Sequence, residues 1–77
     1  MKELVEEIVK ALVDNPEEVN ILETGGNKAV IYEVKVDKTD IGKVIGKEGR
    51  IANAMRTIIS AAAKKQGKRA LLQIIED

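Results

Sequence analysis

Val44-Ile45-Gly46-Lys47-Glu48-Gly49-Arg50-Ile51 is the stretch on which the fold turns. Ile41, Val44 and Ile45 lead into two glycines that bracket Lys47-Glu48, and Ile51, Met55, Ile58, Ile59 and Ala62 lead out at helical spacing. The pattern is a short helix, a glycine-bounded turn and a longer helix. Glycine takes backbone conformations that other residues resist and lets a second backbone approach closely. The start of a helix has unpaired N–H groups and the positive end of the helix dipole, and both favour an anion. Lys47 and Arg50 add full charges at the same corner, which makes its chemistry that of a phosphate cradle.

Outward from this turn the periodicity changes. Toward the N-terminus, Val30, Tyr32, Val34 and Val36 alternate and predict a strand over 28–36. Val19 and Ile21 predict a partner strand over 18–24, with Gly25-Gly26-Asn27-Lys28 as the tight turn between them. A two-residue loop at Gly26-Asn27 would pair Ile21 with Tyr32, Val19 with Val34, and Leu22 with Ile31 on the opposite face. Leu4, Val5, Ile8, Ala11 and Leu12 predict a helix over 2–13, which Asp14-Asn15-Pro16 ends.

Thr39 is the expected N-cap of the short helix, over 40–46. The longer helix is expected over 50–65, with Arg50, Asn53, Thr57, Ser60 and Lys64 outward and Arg56 at the boundary of that face. Lys64-Lys65-Gln66-Gly67-Lys68 ends it in glycine, with cations in the last turn. Ala70, Leu72 and Ile74 predict a last strand over 69–75. The expected fold class is α+β in the order αββααβ. A three-stranded mixed sheet is covered on one face by three helices, and the third strand lies parallel to the second through a helical crossover.

Composition narrows the function. The 77 residues make one domain, and no apolar run approaches the roughly 20 residues that span a bilayer. The amphipathic, acidic start does not read as a signal peptide, so the expected location is cytoplasmic, without membrane association. There is no His, no Cys and a single serine, Ser60. The usual general base, thiol nucleophile and zinc ligands are therefore missing, and the expectation is a non-enzyme with no cofactor and no metal. Net charge is zero but unevenly spread. Residues 1–40 carry 5 Lys against 10 acids, whereas 41–69 carry 8 Lys/Arg against Glu48 alone. A basic block around a glycine turn points to an anionic partner.

Which anion follows from spacing. A P-loop needs four residues between its glycines and then Lys-Ser/Thr; here only three residues separate Gly42 from Gly46, and Glu48 follows Lys47. A dinucleotide fingerprint needs G-x-G-x-x-G directly after a strand, which is absent. A helix-turn-helix reader of duplex DNA through Arg50, Asn53 and Arg56 remains an alternative, although it does not need the surrounding strands. RNA modules that stack bases need exposed aromatics, and the one aromatic, Tyr32, falls on the core face. A KH module has no such need, because its GXXG loop clamps the RNA backbone.

Val44-Ile45-Gly46-Lys47-Glu48-Gly49-Arg50-Ile51 resembles the KH signature, and the element order is similar to the type II arrangement. Asp14 through Val19, Ile41 through Gly46, and Ala61 through Arg69 resemble the small bacterial single-KH proteins of the KhpA family. The resemblance covers nearly the whole chain. It implies single-stranded RNA binding as an RNA chaperone or post-transcriptional regulator, with effects on cell elongation and division, that is, cell shape. It also implies a homodimer, or a heterodimer with a larger KH partner of the KhpB (Jag) type. By position, Gly46 and Gly49 would admit the RNA backbone and Lys47 and Arg50 would contact phosphates. Val44 and Ile45 would line or support the base groove. Lys43, Glu48 and Asn53 complete the expected site, in which Glu48 is an acid facing phosphate. The rival from another class is a protein adaptor acting through dimerisation with the larger KH partner.

Overall fold

The computed structural model describes residues 1–76. Its elements are α1 (Lys2–Leu12), β1 (Asn20–Gly25), β2 (Ala29–Lys35), α2 (Ile41–Ile45), α3 (Arg50–Lys65) and β3 (Arg69–Ile74), with one-turn 3₁₀ segments at Pro16–Glu18, Lys38–Asp40 and Lys47–Gly49. The sheet runs β1-β2-β3, antiparallel between the first two strands and parallel between the last two. Three helices cover one face. The expected type II KH-like αββααβ architecture is the one observed.

The core forms where the helical and strand stripes meet. Val30, Tyr32, Val34 and Val36 are buried, as the alternation predicts, and Ile21 and Leu72 join them from the neighbouring strands. Each such side chain contributes about 1.5–3 kcal/mol on burial. Val5 and Val9 of α1 are buried, as is Val13 just beyond its end; Leu4 and Ala11, expected on this face, are exposed. From α3 the buried line is Ala52, Met55, Ile59 and Ala63, with Ile51 and Ala62 at its margins. Ile58, expected inside, is 51% exposed. An i, i+3, i+7, i+11 line through Ala52 passes beside Ile58, and the adjacent Ile59 takes the inward position.

Three local expectations are corrected. The first strand begins at Asn20 because Pro16 opens a 3₁₀ turn. The Glu18 N–H donates to Asn15 and the Val19 N–H to Pro16. The hairpin register is shifted by two residues: Ile21 pairs with Val34, Glu23 with Tyr32 and Thr24 with Ile31. The Gly26 N–H donates to the Ala29 carbonyl at 2.9 Å, so Asn27-Lys28 forms the loop. Gly25 permits this at φ +132; a Cβ there would lie 2.3 Å from the Ala29 carbonyl oxygen. A two-residue shift keeps every side chain on its face, so alternation could not detect it. Finally, Asp37 rather than Thr39 caps the approach to α2, its carboxylate accepting from the Thr39 N–H and hydroxyl at 3.0 Å.

Candidate nucleic-acid interface

The glycine turn is built from its backbone. Gly46 closes α2 by donating its N–H to the Gly42 carbonyl at 2.9 Å, then leaves the helix at φ 76, ψ 174. Lys47–Gly49 make one tight turn, in which Glu48 (φ 58) and Gly49 (φ 76) are both left-handed. α3 starts at Arg50, and no side chain caps it. Its N-terminus, with the dipole's positive end, thus opens on the loop.

The two glycines are required for different reasons. A Cβ on Gly46 would lie 2.6 Å from Ile51 Cγ1, so this position is reserved by the protein's own packing. A Cβ on Gly49 would meet only the Asn53 amide nitrogen, at 3.7 Å, so its requirement is conformational and its surface stays open. Val44 is fully buried beneath the loop, and Ile45 and Ile51 are half-buried at its margins. Val44 therefore supports the site without offering contact surface.

The charges are not equally free. Lys47 is exposed and makes no ion pair with another described residue. Arg50 Nη2 lies 3.5 Å from Glu48 Oε2, with both side chains largely in solvent. Such an exposed pair is worth about 0–1 kcal/mol and can exchange for another anion. Lys43 turns away from the loop: its Nζ lies 3.2 Å from Asp14 Oδ2 and 3.5 Å from Asp40 Oδ1. The bond to Asp14, then its charge, and a weaker contribution from Asp40 raise the Lys43 ammonium above its ordinary value.

Asp40 is the buried anchor behind this surface. Only 1% exposed, its carboxylate accepts from the Asp14 and Asn15 N–H groups at 3.2 and 3.0 Å and from the Asn15 side-chain amide at 3.2 Å. Burial pushes its carboxyl up, but these bonds and Lys43 outweigh burial and hold it below its usual value. The network ties the chain after α1 to the start of α2, and so fixes the helix that presents the glycines. Its partners Asp14 and Asn15 lie 26 and 25 residues away in the chain, so no local pattern in the sequence marks Asp40.

On the other side of the loop, Asn53 Oδ1 accepts from Arg56 Nη1 at 3.0 Å, and Arg56 Nε donates to the Leu72 carbonyl at 3.1 Å. Arg56 thus braces α3 against β3 through one of that strand's carbonyls. Its place at the boundary of the outward face was the only sequence signal for this role. Lys47, Glu48, Arg50 and Asn53 are exposed around the half-buried Gly46, Gly49 and Ile51, while Lys43 is drawn to Asp14 and Asp40 and Val44 is buried. Among the described residues no group of His, Cys, Asp and Glu could hold a metal ion, and no helix is long and apolar enough to cross a membrane.

Comparison with known proteins agrees with this architecture. Residues 2–74 match the family model of the KhpA/KhpB KH domain. An RNA-binding protein KhpA of Clostridium perfringens is 55% identical over 75 residues, which is 97% of this chain and all of that one. An RNA-binding protein KhpA of Aquifex aeolicus is 50% identical over 76 residues, 99% of this chain and 96% of the relative. A third, from Chlamydia pneumoniae, is 49% identical over the whole of this chain and 99% of its own. No solved structure matches.

Proposed function

The chain belongs to the KhpA/KhpB KH-domain family, a non-catalytic kind of protein, and on that premise we propose that it binds single-stranded RNA through the Gly46–Gly49 loop. The observation that carries this reading is the loop itself. An uncapped helix start, an open glycine surface at Gly49 and an unpaired Lys47 converge on one exposed corner. Backbone N–H groups and Lys47 hold phosphate, and Arg50 joins them by exchanging Glu48 for the ligand. The half-buried Ile45 and Ile51 offer bases an aliphatic margin. Few side chains are placed to read base edges, so sequence preference is loose. Pairing with a second copy, or with a larger KH-containing protein, would raise avidity. An RNA-chaperone or post-transcriptional role in the cytoplasm fits such weak, general binding.

The test is fluorescence anisotropy of a labelled single-stranded RNA with the wild type and with Lys47→Asp/Glu48→Asp. Both residues are exposed, so the double variant should fold. The expected result is salt-sensitive binding that the double variant loses and that duplex DNA competes for poorly. Undiminished binding by the folded variant would remove the loop from the site. Preferential competition by duplex DNA would favour the helix-turn-helix reading.

The adaptor reading draws on one observation. Leu22 and Leu71, 54% and 55% exposed, lie with Ile31 on the sheet face that no helix covers. Loss of a protein partner on Leu22→Glu, in a parent without RNA affinity, would support it.

A further inference from the structure

The two edge strands of the sheet are not equally guarded. β3 carries Arg69, and its Leu72 carbonyl is taken by Arg56. β1 has neither Pro nor Lys, and it pairs with β2 without a bulge, from Asn20 with Lys35 to Gly25 with Val30. Natural sheets block an exposed edge with such residues, with bulges or with a covering segment. The hairpin fixes which groups β1 leaves over. The Gly26 N–H donates to the Ala29 carbonyl, and antiparallel bonding alternates from there. Thr24, Leu22 and Asn20 therefore turn their N–H and C=O groups to β2, while Ile21 and Glu23 turn theirs outward. No described residue bonds those outward groups.

The charge beside this edge is acidic. Glu17, Glu18 and Asp37 share a hollow at the start of β1 with one cation, Lys35. Glu23 lies on the strand itself, on the helix-covered face with its pair Tyr32. Burial, and after it Glu23 and then Glu3, push the Tyr32 hydroxyl up, so Glu3 of α1 acts on the same side of the sheet. None of Glu17, Glu18 and Glu23 forms an ion pair with another described residue. On the opposite face Leu22 and Thr24 are exposed. The edge thus offers backbone groups with acid on one face and an apolar side chain on the other. A second copy is a poor occupant. Two β1 strands paired about Leu22 would set their Glu23 side chains as diagonal neighbours on one face, with no cation between them.

We propose that the outer edge of β1 docks an extended segment of a partner protein in which basic and apolar residues alternate. The segment adds a fourth strand, a mode in which main-chain bonds give affinity and alternate side chains give specificity. Antiparallel to β1, the residues opposite Ile21 and Glu23 turn their N–H and C=O groups inward and their side chains to the Glu23 face. Those residues are basic. The residues between them lie beside Leu22 and Thr24 and are apolar. Beyond Asn20 the segment runs past Glu17 and Glu18, which favour a further Lys or Arg and repel an acidic chain. β2 separates this edge from β3. The proposal therefore stands apart from the RNA reading above and does not depend on it.

The experiment titrates the ¹⁵N-labelled protein with an acetylated, amidated peptide of alternating Lys and Val, and with its Glu/Val counterpart. The Lys/Val peptide should shift the Ile21 and Glu23 amides most and slow their hydrogen exchange, and the Glu/Val peptide should leave them unmoved. In Glu17→Gln/Glu18→Gln, with a melting curve to verify the fold, affinity for the Lys/Val peptide should fall about threefold at low salt. Two N-methylated Lys/Val peptides separate strand addition from charge attraction. Methyl groups on the Lys nitrogens, which face β1, should weaken binding about tenfold, whereas methyl groups on the Val nitrogens should change it by less than about twofold. Equal effects of the two methylated sets, equal binding of the Glu/Val peptide, or shifts centred away from β1 would overturn the proposal. So would β1 amide shifts that follow protein concentration without peptide, which would give the edge to a second copy.

Discussion

Replacing Gly46 and Gly49 separately by alanine should have unequal consequences, although both glycines flank the same two residues. Gly46 sits at φ 76, ψ 174, a region open essentially to glycine alone, where another residue costs about 1–3 kcal/mol. The added Cβ would also lie 2.6 Å from Ile51 Cγ1 and 2.9 Å from both Ile51 Cβ and Cδ1. Because Ile51 Cβ is fixed to the first turn of α3, a rotamer change cannot relieve every contact. Overpacking of this kind costs about 1–3 kcal/mol more. The sum, about 2–6 kcal/mol, compares with a total stability of about 4–12 kcal/mol for a chain of this length. Gly49 is left-handed at φ 76, ψ 13 with open space around it, so alanine costs about 1–2 kcal/mol there. Urea unfolding followed by far-UV circular dichroism measures both. Gly46→Ala/Ile51→Ala should be more stable than the two single changes predict by addition, because the second removes two of the three atoms the first strikes, Cγ1 and Cδ1. Equal losses at the two glycines, or strict additivity in the double variant, would refute the assignment of Gly46 to internal packing.

Other outcomes follow from the same contacts. The Asp40 carboxyl is held below its ordinary value of 3.8, so its contribution is present above that pH and lost as pH falls through the lowered value. Asp40→Asn should therefore be less stable than the wild type at neutral pH, and the gap should narrow on acidification below about pH 4, as read from urea midpoints across pH. Glu48→Gly should raise RNA affinity about fivefold at low salt, the equivalent of removing about 1 kcal/mol of solvent-screened repulsion, without loss of stability, in anisotropy and melting experiments. Arg56→Met removes the bonds to the Leu72 carbonyl and Asn53, and should cost about 1–3 kcal/mol in urea unfolding. Ile59→Ala, at a residue 1% exposed, should cost about 2–5 kcal/mol by the same measurement.

Strong periodicity made much of this fold legible in the sequence. The alternation from Val30 to Val36 and the bounds of α3 at 50–65 are those observed. The α3-to-β3 return also predicted the parallel pairing. What periodicity cannot see is a displacement that preserves it, which is why the hairpin slipped by two residues unnoticed. It also cannot rank neighbours, so Ile58 was expected inside when Ile59 holds that place. The glycine loop was legible because Gly-Lys-Glu-Gly is unusual chemistry in a local pattern. Asp40 and the diversion of Lys43 to Asp14 depend on partners distant in the chain. Only the folded arrangement brings those together.

The most direct measurement is a titration of the ¹⁵N-labelled protein with short single-stranded RNA, following backbone amide shifts. Binding through the glycine loop predicts that the largest shifts fall on the amides from Gly46 to Asn53, with the Lys47→Asp/Glu48→Asp variant silent under the same conditions. Shifts centred instead on Leu22, Ile31 and Leu71, or equal shifts in the double variant, would contradict it.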